Sequence, residues 1–116
     1  MKKVAIDLNG RRLWVAEVAD NPWTRFWGLI GRRGLNPGHG LILKPCRSVH
    51  TWFMRFPIDV VYLAADGTIT AVHPNLRPFR FSFQGRGAQM VLELPAGAAE
   101  LAGIKPGQRL TIKPLE

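Results

Sequence analysis

The residues able to do chemistry concentrate in one segment, Cys46-Arg47-Ser48-Val49-His50-Thr51-Trp52-Phe53-Met54-Arg55-Phe56-Pro57-Ile58-Asp59. A thiol, a hydroxyl and an imidazole at two-residue spacing raise the possibility of a nucleophile–base pair. In an extended strand, Cys46, Ser48, His50, Trp52 and Met54 share one face. At ~3.3 Å per residue, however, Cys46 and His50 stand about 13 Å apart, and Ser48 and His50 about 6–7 Å, beyond hydrogen-bond reach. A pair therefore needs a bend, and the sequence offers none before Pro57. Cys46 then reads as a small, buried hydrophobe. His50, amid Trp52, Phe53 and Met54, must find a partner or face a pocket. His39, His50 and His73 form neither an H-x-H nor an H-E-x-x-H pattern, and a single cysteine excludes a four-cysteine zinc site. No catalytic residue, metal site or cofactor is predicted, and an enzyme using Cys46 or His50 remains an alternative.

Charge gives a second signal. Sixteen Lys and Arg against eight Asp and Glu leave a formal +8. From Asn21 to Ile58 there is no acid, yet Arg25, Arg32, Arg33, Lys44, Arg47 and Arg55 all fall there. A second acid-free window, Gly67 to Leu92, holds Arg77, Arg80 and Arg86. From residue 88 onward, Lys105, Arg109 and Lys113 balance Glu93, Glu100 and Glu116. Such a field favours anions, and the predominance of Arg over Lys suits bidentate carboxylate or phosphate contacts. The expectation is a non-enzymatic binding module whose basic cleft, built from Arg25, Arg32, His50, Arg55 and Asp59 with Arg80 as a further member, holds an anionic ligand or acidic partner. An Arg55–Asp59 ion pair across the Pro57 bend would account for those two without a ligand.

The alternative to the cleft is sequence-independent nucleic-acid binding. Phe79, Phe81 and Phe83 alternate with Arg80 and Ser82, with Arg77 and Arg86 nearby. Exposed aromatics on a sheet stack bases while arginines neutralise phosphates. The competing structural expectation is that three phenylalanines on one strand face belong to the core.

These residues need a scaffold. Lys3–Leu8 and Arg11–Val18 flank Asn9-Gly10, the pair a type I′ hairpin prefers. Asp20 or Asn21 caps a helix starting at Pro22. Trp23, Phe26, Trp27 and Ile30 recur at helical spacing, and Gly31 or Gly34 ends the run. Short strands follow at Leu41–Leu43, Val49–Arg55, Ile58–Leu63, Thr68–Val72, the Phe79–Phe83 run, Met90–Leu94 and Leu110–Ile112. Asp66-Gly67, Gly85-Arg86-Gly87 and Pro106-Gly107 read as turns, and Ala98–Ala102 as a one-turn helix. The predicted class is mainly β (β-rich α+β): a compact β-sandwich or jelly-roll-like domain with one amphipathic helix near residues 22–32. At 116 residues and 47% hydrophobic composition the chain fits one domain, 1–116, with a real core. The apolar run of MKKVAIDLNG stops at Asp7, and no stretch approaches the ~18 residues of a membrane span. A cytoplasmic protein without signal peptide or anchor is expected; oligomeric state is not legible.

Several motifs in order also carry a resemblance. Arg25-x-x-Gly28-Leu29-x-Gly31-Arg32, Gly38-x-Gly40-Leu41, and Cys46-x-Ser48-Val49-His50-Thr51-x-Phe53-Met54-Arg55-Phe56-Pro57-Ile58-Asp59-Val60-Val61 are followed by Val91-Leu92-Glu93-Leu94-Pro95-Ala96-Gly97 and Gly103-Ile104-x-x-Gly107. Over about residues 13–113 this resembles the domain of unknown function 192 family. The resemblance implies a compact, mainly β fold of the sandwich or jelly-roll kind with a short helical insertion. That family carries no established activity, cofactor or substrate, so it implies no catalytic role. Thr24 stands where many relatives have an acid before the arginine, which leaves Arg25 without an adjacent negative charge.

Overall fold

The computed structural model describes residues 1–83 and 86–115. Gln84 and Gly85, with the start of the predicted Gly85-Arg86-Gly87 turn, lie outside the described residues. The elements run β1 (Lys2–Leu8), β2 (Arg11–Ala19), α1 (Pro22–Trp27), β3 (His39–Leu43), β4 (Ser48–His50) and β5 (Ile58–Leu63), then β6 (Ile69–Leu76), β7 (Phe81–Phe83), β8 (Met90–Pro95), α2 (Ala98–Ala102) and β9 (Thr111–Pro114).

Local chemistry explains the first half. Asn9 and Gly10 both take positive φ (51° and 80°), as a type I′ turn requires, and β1 pairs antiparallel with β2. β2 then pairs in parallel with β3, so the chain needs a crossover, which residues 20–38 supply through α1. Asn21 and Thr24 form a capping box: Asn21 Oδ1 accepts the Thr24 N–H (2.9 Å) and Thr24 Oγ1 accepts the Asn21 N–H (3.4 Å). Thr24 thus has a local task of its own.

The larger sheet has the order β6-β5-β8-β3-β2-β1-β9, and β4 and β7 form a separate two-stranded sheet. The larger sheet curls until its two edges meet. Thr68 and Arg109 form an antiparallel bridge, the Ile69 N–H donates to the Gln108 carbonyl (2.8 Å), and the Leu110 N–H donates to the Gly67 carbonyl (2.9 Å). Val4, Ile6, Val18, Ile42, Leu92 and Leu110 fill the inside of this curl. A second core lies on the outer face, where Leu41, Val60, Tyr62 and Val91 pack with Leu29 after α1, Val49 of β4 and Met54. The domain is β-rich and sandwich-like, with a short amphipathic helix beside an aromatic cluster.

Several boundaries differ from the sequence expectation. α1 is six residues long and ends at Gly28 (φ 46°), ahead of Gly31 and Gly34. It buries none of its own residues; Leu29, just past its end, is the anchor. The predicted 49–55 strand stops at His50, because a turn follows, closed by the Met54 N–H on the Thr51 carbonyl (3.2 Å), in which Phe53 takes a left-handed conformation (φ 66°). The Phe79–Phe83 strand is confined to Phe81–Phe83, since Phe79 also sits at positive φ (60°).

Candidate functional site

The two-stranded layer shows one side to solvent. Its pairs are Ser48 with Phe83, Val49 with Ser82, and His50 with Phe81. Alternation sends Val49 and Ser82 inward, so Phe81, Phe83, Ser48 and His50 point outward. Ser82 fixes this choice chemically. The Tyr62 hydroxyl lies 2.8 Å from its Oγ and 3.0 Å from its carbonyl oxygen, and His73 Nδ1 lies 2.9 Å from the same Oγ. The phenylalanines expected in the core are therefore surface residues: Phe79, Phe81 and Phe83 keep 57, 62 and 66% of their surface exposed.

Thr51 extends the aromatic face by clamping two loops together. It is fully buried; its N–H donates to the Arg80 carbonyl (2.9 Å), and its carbonyl accepts the Phe79 N–H (3.0 Å). Its Oγ1 accepts the Arg80 N–H (3.0 Å) and donates to the Arg77 carbonyl. The clamp holds Phe53 and Phe79 in edge contact, with ring centroids 6.0 Å apart, while both remain exposed. The Trp52 ring lies tilted beside His50, with centroids 5.3 Å apart. Arg55, Arg77 and Arg80 are exposed in the same loops, and Arg86 is exposed beyond β7. Left-handed backbone at two bulky aromatics is costly, about 1–3 kcal/mol each, and persists only where surrounding bonds over-determine it.

Of the apolar stripe at helical spacing, Trp23, Phe26 and Trp27 on α1 are exposed as well, and Ile30 beyond it is half-buried. The aromatics pack edge-on against each other at 5.4 and 5.7 Å. Three large aromatic side chains on one short helix are thus left in solvent.

Between α1 and β4 a cavity of about 90 Å³ reaches down to Glu93. Arg25, Cys46, Ser48, His50 and Met54 share its lining. Glu93 stands on β8 between Leu41 and Val60, buried, and burial raises its carboxyl to about 7, against a weaker opposing pull from the Arg32 cation. Sequence reasoning did not single it out; the signal was a lone acid inside the apolar Val91–Pro95 run. Cys46 donates its S–H to the Ser48 carbonyl (3.0 Å), and burial pushes its thiol up, which keeps it protonated and weakly nucleophilic.

The other basic-cleft residues diverge. Arg25 and His50 line that cavity, and Arg25 also donates to the Pro45 carbonyl (3.1 Å). Arg32 lies outside it, paired with Glu17 at 3.7 Å. Asp59 is fully buried and structural: its carboxylate accepts the N–H groups of Asn75 (2.9 Å), Gly97 (3.0 Å) and Ala99 (2.9 Å). Two of those bonds cap α2, whose own N-cap, Gly97, has no side chain to do so. Among the described residues Asp59 makes no ion pair with Arg55, and no group of three His, Cys, Asp or Glu side chains is arranged to hold a metal. No helix among them is long and apolar enough to cross a membrane.

Comparison with known proteins agrees with this architecture. A UPF0127 protein of Pyrococcus abyssi is 33% identical over 100 residues, covering 81% of this chain and 82% of the relative. One from Pyrococcus furiosus is 35% identical over 98 residues, covering 79% and 81%. The crystal structure of a Sinorhizobium meliloti protein described as a candidate transcription regulator superposes with a TM-score of 0.79 at 32% identity, over 96% of this chain and 92% of that one. A Novosphingobium aromaticivorans protein of unknown function shares the fold, with a TM-score of 0.81 at 23% identity over 94% and 83%. The DUF192 model, described as an uncharacterized ACR, matches residues 4–112, and the chain belongs to that family.

Proposed function

We propose that the aromatic and arginine face binds single-stranded nucleic acid without sequence preference. The observation that carries this is the outward projection of Phe79, Phe81 and Phe83, held by buried Ser82 and Thr51, beside the exposed Arg77, Arg80 and Arg86. Every base offers a π-face, so rings on a fixed layer stack successive bases while guanidinium groups meet the phosphates. No acid falls between Gly67 and Leu92, and Glu93, which ends that window, is buried, so the stretch that forms the face carries cations and no acid. The description of the Sinorhizobium relative as a candidate transcription regulator is in keeping with a nucleic-acid partner.

Fluorescence anisotropy with labelled oligo-dT and oligo-U, at rising salt, tests the reading. Binding is expected with a log–log salt slope of about −2, from ~0.7 for each of three phosphate contacts. Phe81→Ala and Phe83→Ala are each expected to weaken binding roughly fivefold or more, at ~1–3 kcal/mol per stacked base. No binding at low salt, or affinity indifferent to salt and to both substitutions, overturns it. So does binding to anionic lipid vesicles with none to either oligonucleotide.

A further inference from the structure

The curl of the larger sheet has two ends, and only one is plugged. α2 follows directly from the C-terminal end of β8 and packs Ala99 into the inner core. At the other end, where β8 begins, the core opens into a cavity of about 320 Å³, within the range of small-molecule sites. Its floor is apolar: Val18, Ile42, Met90 and Leu110 are members of the inner core or pack against it.

The rim is charged and comes from strand ends that are neighbours in the sheet. Lys2 opens β1, Asp20 follows β2, Lys44 follows β3, Arg109 precedes β9, and Asp66 belongs to the turn between β5 and β6. Three cations face two acids. Asp66 is partly committed, because Oδ1 accepts the Thr68 N–H at 2.9 Å. Arg109 gives Nε to the Asp66 carbonyl (2.9 Å), and among the described residues its terminal nitrogens have no hydrogen-bond partner. Lys2 and Lys44 are exposed and form no ion pair among the described residues.

We infer that this mouth binds a small amphipathic anion, an aliphatic carboxylate whose chain enters between Val18, Ile42 and Leu110 while its head meets Lys2, Lys44 and Arg109. An apolar floor holds the chain by excluding water, and the surplus of cations selects the sign of the head. A cationic amphiphile would set its head against three positive charges, and a neutral alcohol would lose the charge-assisted hydrogen bonds. The site is separate from the aromatic face and does not depend on its function.

Calorimetric titration of the full chain with decanoate, decanol and decylammonium, below their micelle concentrations, tests this. Decanoate is expected to bind at least tenfold more tightly than decanol, and decylammonium not measurably. Methyl resonances of Val18, Ile42 and Leu110 are expected to shift on binding, while those of Val49 and Met54 stay in place. The double variant Lys2→Glu/Lys44→Glu changes exposed positions only and is expected to weaken decanoate at least tenfold. Equal affinity for decanoate and decylammonium, shifts confined to the aromatic face, unchanged affinity in the double variant, or no decanoate binding overturns the proposal.

Discussion

At the residue scale, Glu93 gives the most specific handle. A carboxyl between Leu41 and Val60 loses hydration that nothing nearby fully replaces, so its proton is held up to about 7, where an ordinary glutamate would release it near 4.5. The folded chain therefore binds this proton more tightly than the unfolded chain. The stabilisation is complete below 4.5 and is lost as the pH rises through 7, by roughly 3 kcal/mol at most. Urea unfolding of the wild type and Glu93→Gln between pH 4.5 and 8 measures it: the wild type is expected to lose stability relative to the variant across that window. Parallel curves would assign the slope to other groups. Asp59, also buried, is met instead by three backbone N–H groups. The sequence showed both acids in apolar surroundings, but not which one would be met by donors, because those donors come from residues up to 40 positions away.

At the scale of elements, turn chemistry was legible and solvent exposure was not. Asn9-Gly10 and Asp66-Gly67 set two hairpins, and the Ser48–His50 and Phe81–Phe83 alternation correctly sorted side chains onto two faces. Alternation does not say which face is covered. The inward face of β7 was decided by Ser82 reaching Tyr62 and His73, a polar anchor that outranked two phenylalanines. The same holds for α1, where a six-residue helix anchored by Leu29 leaves its aromatics in solvent. Thr51 is the element-level joint of the aromatic face. Replacing it with Val keeps the volume but strands the Arg80 N–H and the Arg77 carbonyl, at a cost of about 1–3 kcal/mol. Amide exchange offers the local measurement: the Arg80 amide is expected to lose protection in Thr51→Val beyond the global loss of stability. Arg80 protection that falls only as much as that of the β1–β2 amides would show that the clamp does not act there.

For the whole molecule, the decisive contact joins the two edges of the larger sheet, between segments that no local pattern connects. Gly67 is the residue that permits it. Its φ of 92° suits glycine, and a Cβ there would stand 2.1 Å from the Leu110 carbonyl oxygen, with backbone and not a flexible side chain in the way. Gly67→Ala must therefore move the turn or the segment leading into β9, and about 2–4 kcal/mol is expected from backbone strain and overlap together. The loss should be uneven. The Leu110 and Ile69 amides, which bond across the junction, are expected to exchange faster than the β1–β2 hairpin, whose pairing is local. Because Gly67 and Leu110 also line the open mouth, the same variant is expected to weaken decanoate while leaving oligonucleotide affinity within about twofold, since Phe81 and Phe83 are held by Ser82 and not by the edge junction. Uniform exchange across the sheet, or equal loss at both surfaces, would mean that the edge junction and the aromatic layer unfold as one unit.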